Sequence, residues 1–178
     1  MNKQIKKGDY IGVISSSGLL KFSNKEQIDE SIMNANECGL NVKLGNYLYK
    51  NEKSKEELLK DKLSDFNKMI NDDDVKMIIF SRGGQDSDEL LDYLNYNLIK
   101  KTNKNFVGLS DLTSILNAIY AKTGLITFHG CVFKKYVNNI PMIKCTDFGH
   151  CECNVSIGAE VELDADKQKV TILNNIFE

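Results

Sequence analysis

Short apolar runs alternate with helix-like stretches through the first two-thirds of this chain, and that rhythm restricts its fold most. Tyr10 to Ser15, Asn41 to Leu44, Val75 to Phe80, Asn105 to Gly108 and Leu125 to Phe128 read as strands. Val75 to Phe80 is almost continuously apolar, as a strand buried on both faces requires. Between the strands lie helix-like patterns at Asn24 to Cys38, Ser54 to Ile70, Asp86 to Tyr93 and Leu112 to Lys122. Asn24 stands where the first would be capped, and Gly39 where it would stop. Ser54 and Glu57 have capping-box spacing. Gly124 ends the last helix. The alternation predicts an α/β fold with a mainly parallel sheet flanked by helices.

The last third breaks the rhythm. Val155 to Leu163 and Val170 to Leu173 are β-rich, joined by a turn-like Asp164-Ala165-Asp166-Lys167. The expected organisation is an α/β domain over 1–130, a short linker over 131–139 and a small β-rich segment over 140–178. A tail of that size is too small for a core of its own, so it must dock on the α/β part or on another subunit.

Composition narrows the partners. A net charge of −2 with interspersed signs gives no footprint for nucleic acid or an anionic membrane. No stretch reaches the roughly 20 apolar residues of a membrane span, and the lysine-rich start has no apolar region behind it, so the expected location is the cytoplasm. The five cysteines are an odd number and read as free thiols. Cys145, His150, Cys151 and Cys153 lack paired metal-ligand spacing, so neither a metal nor another cofactor is expected.

The most telling local pattern is Gly108-Leu109-Ser110-Asp111, between a strand and a helix. A serine there exposes its hydroxyl and frees the next backbone N–H groups. Leu112 stands where a full nucleophile elbow has its second glycine, so two readings stay open: a nucleophile, or a cap of the next helix by Ser110 or Asp111. Ser81-Arg82-Gly83-Gly84 follows the buried strand and reaches the same sheet edge, where ligands gather in open α/β sheets. Arg82 is the only arginine in the chain. Ser15-Ser16-Ser17-Gly18 lines that edge, serves as a small-residue loop, or forms a weak phosphate cradle. His129 and His150 are both open as a base, because such groups assemble in space rather than along the chain.

These motifs together resemble the LD-carboxypeptidases, the serine peptidase group that includes the microcin-C self-immunity peptidases. The matching pieces are Gly8-Asp9-Tyr10-Ile11-Gly12-Val13, Ser81-Arg82-Gly83-Gly84, Gly108-Leu109-Ser110-Asp111-Leu112-Thr113 and Thr127-Phe128-His129-Gly130. Asp147-Phe148-Gly149-His150 and Ile157-Gly158-Ala159 resemble the end of the family's C-terminal domain. The resemblance implies a serine hydrolase that releases a terminal D-amino acid from murein peptides, without a cofactor and as a homodimer. It implies Ser110 as nucleophile and His150 as base. It also implies Asp111 and Gly84, with Gly83 as the lesser candidate, as oxyanion donors. Ser17, Arg82 and Gly83 are the expected substrate contacts.

Only Cys131 to Gly149 stands where family members carry a long segment with the glutamate that orients the histidine. The resemblance is therefore to an internally deleted member. Losing that third residue alone can cost about 10⁴ in turnover. Three functions compete: a hydrolase of reduced activity, a non-catalytic module that binds a peptide carboxylate, and a truncated remnant without function.

Overall fold

The computed structural model describes residues 4–49, 51–130 and 132–133, and the backbone of three strands at 155–157, 161–164 and 169–172. The strands are β1 (Tyr10–Ile14), β2 (Asn41–Leu44), β3 (Val75–Phe80), β4 (Asn105–Gly108), β5 (Thr127–His129), β6 (Val155–Ile157), β7 (Val161–Asp164) and β8 (Lys169–Ile172). The helices are α1 (Lys25–Glu37), α2 (Lys55–Asn71), α3 (Tyr96–Thr102) and α4 (Thr113–Thr123).

Six strands form one sheet in the order β2-β1-β3-β4-β5-β6. The first five are parallel, and β6 runs antiparallel along the β5 edge, pairing Phe128 with Ser156. β7 and β8 form a separate antiparallel pair. The chain steps from β1 to β2 on one side, then back across β1 to β3 on the other. Right-handed crossovers in opposite directions place their helices on opposite faces. Ile28 and Ala35 of α1 accordingly pack on one face with Ile11, Val13, Ile79 and Phe128. Phe66 and Met69 of α2, and Ile115, Leu116 and Ile119 of α4, pack on the other with Ile78, Phe80 and Phe106. The order reverses between β1 and β3, so the loops leaving their carboxyl ends flank a crevice.

Local signals act as their chemistry dictates. The Glu57 N–H donates to Ser54 Oγ at 3.3 Å and the Ser54 N–H donates to Glu57 Oε2 at 2.9 Å, which closes the capping box of α2. Gly124 ends α4 with a left-handed backbone, φ 74°. Asn24 precedes α1, but its side chain does not cap it: Oδ1 accepts the Lys21 N–H, within a preceding single turn.

Other boundaries differ from expectation. The short helix expected near Asp86 to Tyr93 is present at Ser87–Tyr93, but it is a seven-residue 3-10 helix rather than an α-helix. α3 arises where no helix was expected, with Asn95 Oδ1 accepting the Leu98 N–H at its start. Leu125 is buried ahead of β5 rather than within it. The β-rich run from Val155 divides between two sheets, as β6 and β7.

Candidate active site

β4 is buried along its length and ends at Gly108. A Cβ there would lie 2.8 Å from the Phe80 ring and 3.1 Å from Leu112 Cβ, so the strand end packs this tightly only as glycine. Leu109 continues extended, and Ser110 then turns to φ 67°. A non-glycine residue in that region costs on the order of 1–3 kcal/mol. Among the described residues only Asn103, at the end of α3, shares this conformation without being glycine. Asn103 tolerates it as a helix terminator, whereas Ser110 stands between a strand and a helix.

From Ser110 the chain passes through one tight turn into α4. The Ser110 side chain is exposed. Its Cβ faces Gly83, where an added Cβ would lie only 2.9 Å away. Neither Ser110 nor Asp111 caps α4 through its side chain. The capping reading therefore falls away.

The Asp111 side chain ties three loops together. Oδ1 accepts the Gly84 N–H at 2.6 Å. Oδ2 accepts from the Ser17 hydroxyl at 2.5 Å and from the Ser87 N–H at 3.2 Å. Ser87 Oγ donates to the Asp111 carbonyl at 2.7 Å and lies 2.8 Å from Ser114 Oγ. The loop after β1, the loop after β3 and the start of α4 thus share one polar hub. Nearby, Ser15 Oγ lies 2.5 Å from Ser81 Oγ and donates to the Leu48 carbonyl at 3.1 Å.

The expected oxyanion donors have these surroundings. The Gly84 N–H, named above as a donor, donates to the Asp111 carboxylate. Glycine is still required there, because a Cβ would collide with Ser17 Oγ and the Gly18 nitrogen. Gly83 is the residue placed against Ser110. The Asp111 N–H belongs to the first turn of a helical run, where backbone donors lack intrahelical partners.

Arg82 is half-buried over the same loops. Its Nε donates to the Gly83 carbonyl at 3.2 Å and Nη1 to the Leu19 carbonyl at 3.4 Å. It forms no ion pair with a described acidic residue, unlike Lys62 close by.

His150 lies outside the described residues, as do Cys131, Cys145, Cys151 and Cys153. His129 ends β5 as the register partner of Gly108, two residues before Ser110. Burial pushes its imidazole below the ordinary histidine value. Among the described residues no cluster of His, Cys, Asp and Glu could hold a metal ion.

Sequence reading missed Lys62, Asp86 and Ser87. Lys62 Nζ, on α2, donates to Asp86 Oδ2 at 2.7 Å, and Asp86 Oδ1 accepts from Ser17 Oγ at 3.0 Å. Burial pushes the Asp86 carboxyl up, but the Lys62 ammonium, with Ser17 and the Gln85 backbone, holds it below the ordinary aspartate value. Only a buried-side lysine on α2 could have hinted at this, and lysines are common along that helix.

Fold and elbow together define a class: a parallel α/β protein that presents a strained serine beside a glycine pair at the carboxyl edge of its sheet. The comparisons with known proteins then give the family. The LD-carboxypeptidase N-terminal domain matches residues 11–130. A Bacillus subtilis (strain 168) protein named "Probable murein peptide carboxypeptidase" is 34% identical over 128 residues, covering 72% of this chain and 39% of that protein. "Microcin C7 self-immunity protein MccF" of Escherichia coli is 31% identical over 140 residues, covering 78% and 41%. The crystal structure of an MccF-like protein from Bacillus anthracis str. Ames matches with TM-score 0.69 at 34% identity, over 76% of this chain and 41% of that one. MccF in complex with aspartyl sulfamoyl adenosine matches with TM-score 0.70 at 30% identity, over 80% and 42%. This chain belongs to the LD-carboxypeptidase family, and it spans about two-fifths of the length of the relatives it matches.

Proposed function

We propose that this protein is an LD-carboxypeptidase-like serine hydrolase that releases a terminal D-amino acid from murein-derived peptides in the cytoplasm. The observation that carries the reading is the left-handed backbone of Ser110, packed against Gly83 at the end of a parallel strand. Such strain persists where an exposed nucleophile repays it.

In this reading Ser110 Oγ attacks the carbonyl carbon of the scissile bond. Its proton passes to His150, which returns it to the leaving D-amino acid amine. The N–H groups of Asp111 and Gly83 receive the oxyanion, with Gly83 taking the place first expected of Gly84. Ser17 shapes the site through its bond to Asp111. Arg82 offers its guanidinium to the terminal carboxylate. The expected assembly is a homodimer.

The test is incubation with a murein tetrapeptide. Released D-alanine that disappears in Ser110→Ala supports the proposal; wild-type protein that binds the peptide and releases nothing overturns it. That second outcome supports the binding-module reading, which Arg82 favours because no described acid neutralises it. The relatives add a further ligand class to try. MccF has been solved with aspartyl sulfamoyl adenosine and with glutamyl sulfamoyl guanosine, both of which carry a side-chain carboxylate.

A further inference from the structure

Lys62 sits in the middle of α2, with its side chain 5% exposed. A buried ammonium is costly, and an apolar side chain of the same length would fill the space more cheaply. Its partner Asp86 is 41% exposed. The pairing makes sense through what lies behind Asp86.

Ser17 has one hydroxyl proton and two carboxylate neighbours, Asp86 Oδ1 at 3.0 Å and Asp111 Oδ2 at 2.5 Å. It can donate to one of them at a time. With Lys62 on Asp86 Oδ2, the charge of Asp86 is already met, and the proton goes to the shorter contact on Asp111. Asp111 so held keeps its other oxygen on the Gly84 N–H. Without the lysine, Asp86 would compete for the same proton and draw Ser17 away. The other charged groups near Asp86 do not replace Lys62. Lys55 is bound to Glu89 at 2.5 Å, and Asp88 and Glu89 add only negative charge.

We propose that Lys62 is a positioning residue for the Ser110 elbow, acting through Asp86, Ser17 and Asp111 on the Gly83-Gly84 backbone. The proposal rests on the reading of Ser110 as nucleophile for its catalytic meaning, but the linkage itself is a property of the folded chain.

Amide hydrogen exchange on the full chain tests it. In Lys62→Met the Gly84 and Ser87 amides should lose about tenfold or more of their protection, while the Ile79 amide in β3 stays within about threefold. Lys62→Arg should keep most of the wild-type protection. Ser17→Ala should reproduce the Gly84 loss without removing a charge, and it decides the matter if Lys62→Met does not fold. Unchanged Gly84 protection in Lys62→Met or Ser17→Ala overturns the proposal. So does a loss that runs parallel at Gly84 and Ile79, which would make the lysine a support of the whole fold.

A fluorophosphonate probe separates this from the nucleophile reading. Ser110 Oγ would displace fluoride from phosphorus, its proton passing to the base. If wild-type protein is not labelled while Gly84 responds as expected, the nucleophile fails and the linkage stands. If Ser110 is labelled equally fast in Lys62→Met with Gly84 unmoved, the linkage fails and the nucleophile stands.

Discussion

The two ends of the parallel sheet bury charge in opposite ways. At the amino end, Lys104 is almost fully buried, and its ammonium donates to the carbonyls of Asp72 and Val75, both at 2.6 Å. Lys43 there binds Asp72 at 2.8 Å and Asp74 at 2.9 Å. These lysines hold down the turn that precedes β3. At the carboxyl end, groups from the loop after β1, the loop after β3, the turn before α4 and α2 satisfy one another, and Ser16 Oγ is buried without a partner among the described residues. Lysines aimed at the carbonyls and carboxylates of one turn stabilise that turn. A hub of mutually dependent side chains fixes the relative placement of the loops around Ser110.

Substitutions at both ends should separate these roles. Ser110→Ala should have the largest effect, a loss of about 10⁴-fold or more in D-alanine release with unchanged or higher melting temperature. Gly84→Ala comes next. Its Cβ would meet the Gly18 backbone, which cannot swing aside, so about 2–3 kcal/mol of stability and most Ser110 labelling should be lost together. Lys104→Met removes a donor from the Val75 carbonyl and one from the Asp72 carbonyl, which keeps the Val75 N–H, and should cost about 1–3 kcal/mol in urea unfolding, with Ser110 labelling unchanged. Loss of labelling in that variant would break the comparison, because the amino end would then matter to the serine.

The smallest effect is a pH dependence. Burial holds the His129 imidazole below its ordinary value, so on acidification the unfolded chain takes up the proton first. Wild-type stability should therefore fall as pH drops below about 6.5. The loss should continue until the folded protein titrates as well. His129→Asn should lack this decline, and urea melts across pH 5–8 would show the two curves diverging on the acid side.

Much of the fold could be read from residue order because its signals are local. The buried run Val75–Phe80, the Ser54–Glu57 box and the Gly124 terminator each act within a few residues. α3 escaped because seven residues carry too little periodicity to distinguish a helix from a loop. At the site, the Ser110 turn and the Gly83-Gly84 pair were legible because strand–turn–helix punctuation marks them. The Asp111 hub was not. Its bonds join Ser17 to Asp111 and Lys62 to Asp86, pairs far apart in the chain that only the folded sheet brings together. The same blindness explains Gly84: the sequence shows that a glycine is there, but not which acceptor its N–H will meet.

The backbone of Ser110 has a consequence for how this chain would change under selection. Glycine and asparagine adopt its conformation at lower cost than serine does. A population screened only for resistance to heat should therefore drift away from serine at this position, gaining about 1 kcal/mol as it does so. A population screened for turnover should hold it. Persistence of the less comfortable residue is thus a record of what the position is kept for.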